Sequence, residues 1–555
     1  MIREEIKKII KEAIENLQKE GKLPEFQIPE IVVEKPKEKN YGDYATNIAL
    51  LVAKELKRSP TDIASMIDLR FNNDDATLRG VRLKASRRIF EKIEVVPLGF
   101  INFFINENYL QKQLKEILKQ KDKFGSLKTG KNKKIQVEFV SANPTGSLTI
   151  GNARGGPLGD TLGNILKKAG FKVERAYYIN DFGNQILVLG HSVLKDEKAE
   201  YKGDYIDYLH KKIKEKDPLK AGERAAKIIL EEMIKKTIKR IGIKYDEWFS
   251  EKKLHKSGAV DEVIEFLKKK NLTYKKENAL WFRSTNYGDI RDRVLIKQNG
   301  QKTYLAGDIA YHQYKFGKKK FDKVINIWGA DHYGDVPGLK AGVEALGYKN
   351  KADFVLLQFV TLLKKGEKIR MSKRKGIYVT MDELLDEIPL DVVRFFFLQK
   401  SAGTHLNFDM DLAKKQSAEN PVYYVQYANA RIHSILAKSK AKSPAPKGRG
   451  SLNKVERQKS KVNLKLLKEP SELNLIKQLS RFPEIIEDTA GDYQVQRIPQ
   501  YAIELADAFH KFYENCRVIS EDKELTKARL ALISATKIVL KNTLDLMGIS
   551  APEKM

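Results

Sequence analysis

Two short segments far apart in the chain, residues 141–154 (SANPTGSLTIGNAR) and 368–376 (KIRMSKRKG), carry the residue types that handling a nucleotide requires. The first follows a predicted strand, 134–140, and runs through Pro144, Gly146 and Gly151 into a helical stretch. Backbone amides at such a helix start can face a phosphate. The second is a cationic turn whose Arg370, Ser372, Lys373, Arg374 and Lys375 can follow negative charge as it shifts during reaction. Phosphoryl-type transition states are stabilised in this way. Together the two segments would make one nucleotide site.

The elements that must position them follow from periodicity. From about Lys131, β-type and α-type stretches alternate, with strands predicted over 135–140, 173–179, 323–327 and 353–357. That alternation predicts a Rossmann-type α/β domain, a parallel sheet covered by helices, over 113–400. Residues 194–278 read as amphipathic helices, for example 225–241, and are taken as an insertion splitting the sheet. Before it, Ile2, Ile6, Ile9, Ile10, Ala13 and Leu17 fall at helical spacing, and a second amphipathic run covers 43–56. Residues 92–105 alternate as strands do, so 1–112 is expected to be a small α+β domain, with a polar surface loop over 68–88. After Asp391 the pattern is helical to the end, which predicts an all-α domain over 401–555. It is interrupted at 438–468, where basic residues face the single acid Glu456 and a flexible basic linker is expected. Ala502, Leu505, Ala506, Phe509 and Tyr513 form an apolar stripe that reads as bundle packing.

Composition bounds the class. At 555 residues with 42% hydrophobic, the chain is too long for one core and can bury several. Its 103 Lys and Arg against 73 Asp and Glu give a formal charge of +30. Such an excess favours a polyanionic partner, nucleic acid first, through counterion release. A single cysteine, Cys516, excludes an internal disulfide and a zinc site built from several thiolates, and a reducing cytoplasm is expected. The longest apolar runs, such as 354–363, are too short to span a bilayer, so no membrane association is expected.

Five motifs in order carry a family resemblance: 138–154, 178–185 (YINDFGNQ), 304–312 (YLAGDIAYH), 329–332 (GADH) and 368–376. The chain resembles the arginyl-tRNA synthetases, class I aminoacyl-tRNA synthetases. Residues 41–47 (YGDYATN) are similar to the family's N-terminal, tRNA-contacting domain, and 424–432 (YVQYANARI) with 551–555 (APEKM) to its helical, anticodon-binding C-terminal domain.

The resemblance implies an arginine–tRNA ligase using ATP and Mg²⁺, with L-arginine and tRNA as partners, and a monomer. Activation of arginine would need bound tRNA, as is typical of the family. On the matching positions, Ser141, Asn143 and Asn152 would hold the amino-acid end, Tyr304 would pack on or bond the side chain, and Asp308 would pair with the guanidinium. Asp331 sits where the family also contacts substrate. Gly151, Asn152, His332, Met371, Ser372, Lys373 and Arg374 would bind ATP, with Lys373, Thr149 and Asn152 carrying the catalytic load. Tyr424, Tyr427 and Arg431 would meet the anticodon arm.

Two departures from the family pattern stand out. Thr149, Ile150, Gly151 and Asn152 replace the usual His, apolar, Gly, His signature. Asn152 keeps a donor and an acceptor, but Thr149 is shorter than His, and one lost donor to transition-state charge costs about 3 kcal/mol if nothing replaces it. Conversely, many family members lack the second lysine of the cationic loop and carry one before the first signature, whereas this chain keeps Lys373 and has no lysine over 141–154. Two other readings stay open at this level: a class I ligase for another amino acid, and a non-catalytic tRNA-binding relative. Asp308 and Asp331 speak against the first, since a neutral substrate would leave carboxylates unpaired. Lys373 speaks against the second.

Overall fold

Residues 1–72, 89–369, 379–441 and 462–555 are described by a computed structural model of the chain. The cationic-loop residues Arg370, Met371, Ser372, Lys373, Arg374 and Lys375 lie outside these, as do 73–88 of the expected surface loop and 442–461 of the expected linker.

The N-terminal unit opens with helix Ile2–Lys19, which buries Ile2, Ile6, Ile10, Ala13, Ile14 and Leu17 along one face. The run expected to be helical over 43–56 divides: Tyr44–Thr46 is a short strand, β1, and the helix is Ile48–Leu56. β1 is captured by pairing Tyr44 with Phe103 and Thr46 with Ile101, an interaction that local periodicity does not express. Strands β2 (Phe90–Val96) and β3 (Phe100–Ile105) complete the antiparallel sheet. They join through Leu98 and Gly99, both at positive φ.

The central sheet contains β4 (Lys134–Glu138), β5 (Lys172–Ile179) and β6 (Glu247–Ser250). A separate antiparallel sheet follows, made of β7 (Thr273–Lys276), β8 (Ala279–Phe282) and β9 (Arg293–Ile296). β10 (Lys323–Gly329) and β11 (Ala352–Leu357) then return to the central sheet, whose order is β11-β10-β4-β5-β6 with every pair parallel. All four strands predicted between 135 and 357 are in it. β6 was not predicted. It lies inside the interval 194–278, so that interval is not wholly an insertion of helices. Its four residues carry too little pattern to separate from flanking helix, and pairing with Ala176–Ile179 makes them a strand.

A last sheet comprises β12 (Val360–Lys364), β13 (Glu367–Lys368) and β14 (Leu406–Asp409). β14 runs parallel to β12 although it lies past residue 400, so this sheet crosses the expected domain boundary and interrupts the expected helical tail. Helices Pro421–Ala441, Pro470–Ser480, Phe482–Asp492, Arg497–Asn515 and Lys523–Met547 form the C-terminal bundle. Ala502, Leu505, Ala506 and Phe509 are buried in it, whereas Tyr513 is 36% exposed.

Interior ion pairs bind the units together. Asp160 accepts from Arg175 at 3.1 Å and from Arg394 at 2.6 Å, while Arg394 also donates to the Met547 carbonyl at the end of the last helix. At the other side, Arg3 of the first helix bridges Glu487 and Asp488, both at 2.7 Å.

Candidate active site

The sheet order reverses between β4 and β10, and clefts form at such a switch point beyond the carboxyl ends of the strands. A cavity of about 580 Å³ opens there. Glu138, Ser141 and Asn143 line it from the end of β4, Tyr178 and Asn180 from β5, and Trp328, Asp331 and His332 from β10. Tyr304 and Asp308, one helical turn apart on Tyr304–Gln313, close one side, and Glu251 and Asn152 complete it.

The turn after β4 is strained and heavily buttressed. Val140 and Ser141 have φ of 69° and 39°, unusual for residues with a Cβ. Three bonds hold them: Tyr245 Oη donates to Phe139 O at 3.0 Å, Tyr177 Oη to Ala142 O at 2.8 Å, and the Tyr178 amide to Ser141 Oγ at 3.1 Å. Ser141 is thereby fixed as an acceptor toward the sheet, and its own proton remains for the cavity.

The signature follows. Thr149 is the N-cap of helix Ile150–Ala153, accepting from the Asn152 amide at 3.3 Å. Its hydroxyl also donates to Asn152 Oδ1 at 2.7 Å, which turns the Asn152 amide nitrogen outward as a donor. A Cβ on Gly151 would meet only Thr149 Oγ1, at 3.9 Å. The space beside Gly151 is therefore open. The signature also contacts the residues after the cationic loop. Ile150 N donates to Val379 O at 3.5 Å, Met381 N donates to Leu148 O at 2.8 Å, and Thr149 bridges Thr380. Residues 379–381, which follow the cationic loop in sequence, are thus held against the signature turn.

Beneath the cavity runs a buried polar chain that sequence reading missed. Lys315 Nζ donates to Glu138 Oε2 at 2.7 Å and to Asn326 Oδ1 at 3.1 Å. Asn326 Nδ2 lies 3.2 Å from His312 Nε2, and His312 Nδ1 lies 2.9 Å from Asp308 O. Burial, with Lys315 nearby, pushes His312 well below its ordinary range, so it is neutral, with its proton on Nδ1 toward the carbonyl.

Lys315 is committed to Glu138 and Arg293 of the cavity wall to Asp289, while Glu251 Oε1 lies 3.6 Å from His255 Nε2. Asp308 is held well above the ordinary carboxyl range by burial first, then by Glu251 and Glu138. Glu251 is buried, and its Oε2 has no hydrogen-bond partner. Asn180 Oδ1 is likewise buried without one. Unpaired buried acceptors are costly, so a site of this kind calls for a ligand rich in N–H donors. Tyr178, its ring tilted 38° to that of Tyr311 with centroids 4.9 Å apart, also lines the cavity.

The acidic pair expected from sequence was Asp308 with Asp331. The structure brings Glu251 close to Asp308, and Asp331 lines the same cavity from the turn after β10. The Asp331 side chain is 67% exposed in the turn after β10, 3.9 Å from His332 Nε2, while His332 Nδ1 lies 3.3 Å from Asp335. Asp331 Oδ1 folds over Gly329, where any Cβ would approach to 2.3 Å. Only the motif position 178–185 hinted at Asn180. Nothing in local sequence marks Glu251, since it is one acid among many in a helical stretch.

Tyr423, Tyr424, Tyr427 and Arg431 are only partly buried on Pro421–Ala441. Tyr423 and Tyr427 stack with centroids 6.3 Å apart, Tyr424 lies 4.8 Å from His510, and the Arg431 guanidinium sits 5.0 Å over Tyr427 and 4.9 Å over Tyr513. Tyr513 therefore joins this cation–aromatic face and departs from the apolar stripe.

Comparison with known proteins gives a consistent set of similarities. Family models match over 4–105 (Arginyl tRNA synthetase N terminal domain), over 113–216 and 196–394 (tRNA synthetases class I (R), catalytic domain), and over 425–555 (DALR anticodon binding domain). The chain is 44% identical over 578 residues to an arginine–tRNA ligase of Caldanaerobacter subterraneus subsp. tengcongensis, covering 100% of this chain and 99% of that one. Against the Bacillus subtilis arginine–tRNA ligase it is 41% identical over 579 residues, with 100% of both covered. In fold it is similar to the arginyl-tRNA synthetase of Thermus thermophilus, with a TM-score of 0.75 at 22% identity and 100% of both chains covered. That of Plasmodium falciparum gives 0.75 at 20% identity, with 100% of this chain and 99% of that one covered.

Proposed function

The chain belongs to the arginyl-tRNA synthetase family, and on that premise we propose how its residues divide the work. It is an arginine–tRNA ligase: it activates L-arginine with ATP to arginyl-adenylate and transfers the arginyl group to the 3′ end of its tRNA, releasing AMP and pyrophosphate. Neither a class I ligase for another amino acid nor a non-catalytic tRNA-binding relative is favoured by any feature of the chain.

The observation that carries the assignment of the pocket is the acid beside Asp308: a buried Glu251 with one oxygen 3.6 Å from His255 Nε2 and the other bare, near a buried lysine already committed to Glu138. A guanidinium supplies five N–H donors in a planar fork and a fixed positive charge, which satisfies both carboxylates at once. Tyr304, 59% exposed at the rim, covers the aliphatic part of the substrate. Ser141, Asn143, Asn152 and Asn180 receive the ammonium and carboxylate, which brings the carboxylate to the signature turn. Asp331 and His332 stand at the mouth, where Asp331 meets the substrate's polar end and His332 the nucleotide.

ATP lies over Gly151, with Asn152 Nδ2 donating to it because Thr149 has taken the Oδ1. The arginine carboxylate attacks the α-phosphorus, and the bond to pyrophosphate breaks. Lys373, with Met371, Ser372 and Arg374, holds the departing pyrophosphate. A ribose hydroxyl of the tRNA's terminal adenosine then attacks the adenylate carbonyl and expels AMP. No covalent enzyme intermediate is required, and positioning with charge stabilisation supplies most of the rate. Mg²⁺, when bound, would shield the phosphates of ATP. Tyr424, Tyr427 and Arg431 stack on bases of the anticodon arm.

Residues 1–112, 113–400 and 401–555 are read as the tRNA-contacting, catalytic and anticodon-binding units of a cytoplasmic monomer. Among the described residues no helix is long and apolar enough to cross a membrane. The test is pyrophosphate exchange with saturating tRNA. Arginine should support it, whereas citrulline, its neutral near-isostere, should be at least about 100-fold worse in kcat/KM, and Glu251→Gln should narrow that gap about tenfold. Equal use of citrulline would refute the acidic-pocket reading.

A further inference from the structure

Arg154 follows the signature helix directly and is fully buried. Its Nη1 donates to Gln358 O at 2.7 Å and to Thr404 O at 3.0 Å, and its Nη2 to Ser401 O at 3.0 Å. Nε is buried with no hydrogen-bond partner. The buried Arg175 and Arg394, by contrast, share the carboxylate of Asp160. Among the described residues no carboxylate pairs with Arg154, and burial alone lowers it to about 10. An uncompensated interior cation is expensive, and an apolar side chain of similar volume would fill the space at less cost.

What the guanidinium does that an apolar group cannot is bond two loops at once. Gln358 lies between β11 and β12, and Ser401 and Thr404 form the turn before β14. These loops already bond each other through Gln358 N to Ala402 O at 2.9 Å and Leu406 N to Phe359 O at 3.0 Å. They are the root of the sheet β12–β13–β14. We infer that Arg154 is a positioning residue for arginine activation: its buried fork locks the signature turn Thr149–Asn152 in place against the root of sheet β12–β14. Asn152 is two residues away, and a misplacement of about 1 Å at a reacting centre can cost about 100-fold in rate. The acids of the arginine pocket, Asp308 and Glu251, come from other elements, and of the residues placed at the arginine only Asn152 belongs to the locked turn, so the lock bears on a minor share of arginine binding.

The inference rests on the ligase reading and on Asn152 facing ATP. Arg154→Lys keeps the charge but replaces a three-bond fork with a point donor. In full-length enzyme with saturating tRNA, kcat for arginine-dependent pyrophosphate exchange should fall about 10–100-fold, and arginine affinity measured by calorimetry should stay within about threefold. Ser401→Ala, which removes the 2.7 Å Ser401–Thr404 hydroxyl contact shaping the turn and touches no substrate, should show the same split at several-fold. A role limited to stability would lower affinity and kcat together, or leave both unchanged in the folded variant; either result overturns the inference. Should Arg154→Lys not fold, Ser401→Ala decides alone, and unchanged kcat counts against it. Wild-type enzyme that exchanges no pyrophosphate with arginine would instead remove the ligase reading, and this inference with it.

Discussion

Thr149 and Thr380 face each other across an isolated antiparallel bridge, 231 positions apart in sequence (380 − 149), with Met381 N donating to Leu148 O at 2.8 Å beside it. This contact brings residues 379–381 to the signature turn. Thr380 in turn opens helix Met381–Glu387 with a reciprocal capping box to Glu383, so the anchor on the loop's C-terminal side is itself firmly held.

Among the residues proposed to hold pyrophosphate, Lys373 is the one on which the chemistry should depend most. Lys373→Ala is expected to lower kcat for tRNA-dependent pyrophosphate exchange by about 10²–10³-fold, with arginine affinity changed less than about twofold. Steady-state exchange and calorimetry measure the two quantities. Full activity in the variant would move transition-state stabilisation elsewhere.

Asp308 links binding to pH. Its folded-state carboxyl is raised, chiefly by burial, so the unfolded chain ionises at lower pH than the unliganded fold. Below the ordinary carboxyl range both states are protonated and the group is neutral for stability. As pH rises from that range through the raised folded value, it progressively destabilises the unliganded protein. Asp308→Asn should therefore melt about 1–3 °C higher than wild type at neutral pH, the gain disappearing near pH 3. Arginine needs the ionised form, so wild-type affinity should climb across the same window, and the variant should bind about 100-fold more weakly. A variant that is both less stable and normal in binding would rule out the pairing.

Gly151 separates folding from ligand space. With nothing nearer than 3.9 Å to an added Cβ, Gly151→Ala should fold with wild-type stability and raise the KM for ATP about tenfold, leaving arginine affinity unchanged. A loss of thermal stability without a KM change would mean that the glycine serves the turn and not the nucleotide.

The cation–aromatic face on the C-terminal bundle should act on tRNA alone. Tyr427→Ala removes a ring stacked with Tyr423 and covered by Arg431, and is expected to raise the KM for tRNA about tenfold. Filter binding of tRNA and exchange at saturating tRNA distinguish this from a catalytic effect, which should be absent.

Much of this molecule is legible in one dimension. The parallel sheet could be read because β4, β5, β10 and β11 are apolar runs long enough to stand out, and the turn after β4 because Pro144, Gly146 and Gly151 punctuate it. β1, β6 and β14 escaped because each has only three or four residues, and pairing partners far away in sequence make them strands. Asp308 was found through its motif. Asn180, Glu138 and His312 fall inside motifs without being marked as site residues, and Glu251, Lys315 and Asn326 have no local pattern.

The sequence by itself determined which chemical groups are present, the order of the motifs and hence the family, and the local turn and helix starts that short-range sterics and capping impose. Only the tertiary structure decided which acid stands beside Asp308, exposing Asp331 and burying Glu251, and how Thr149 meets Thr380. Those outcomes depend on the strand order β11-β10-β4-β5-β6, which brings residues more than a hundred positions apart to one end of a sheet. Burial there gives a carboxylate an unmet need for a cation, a property that belongs to the cavity and not to the residue.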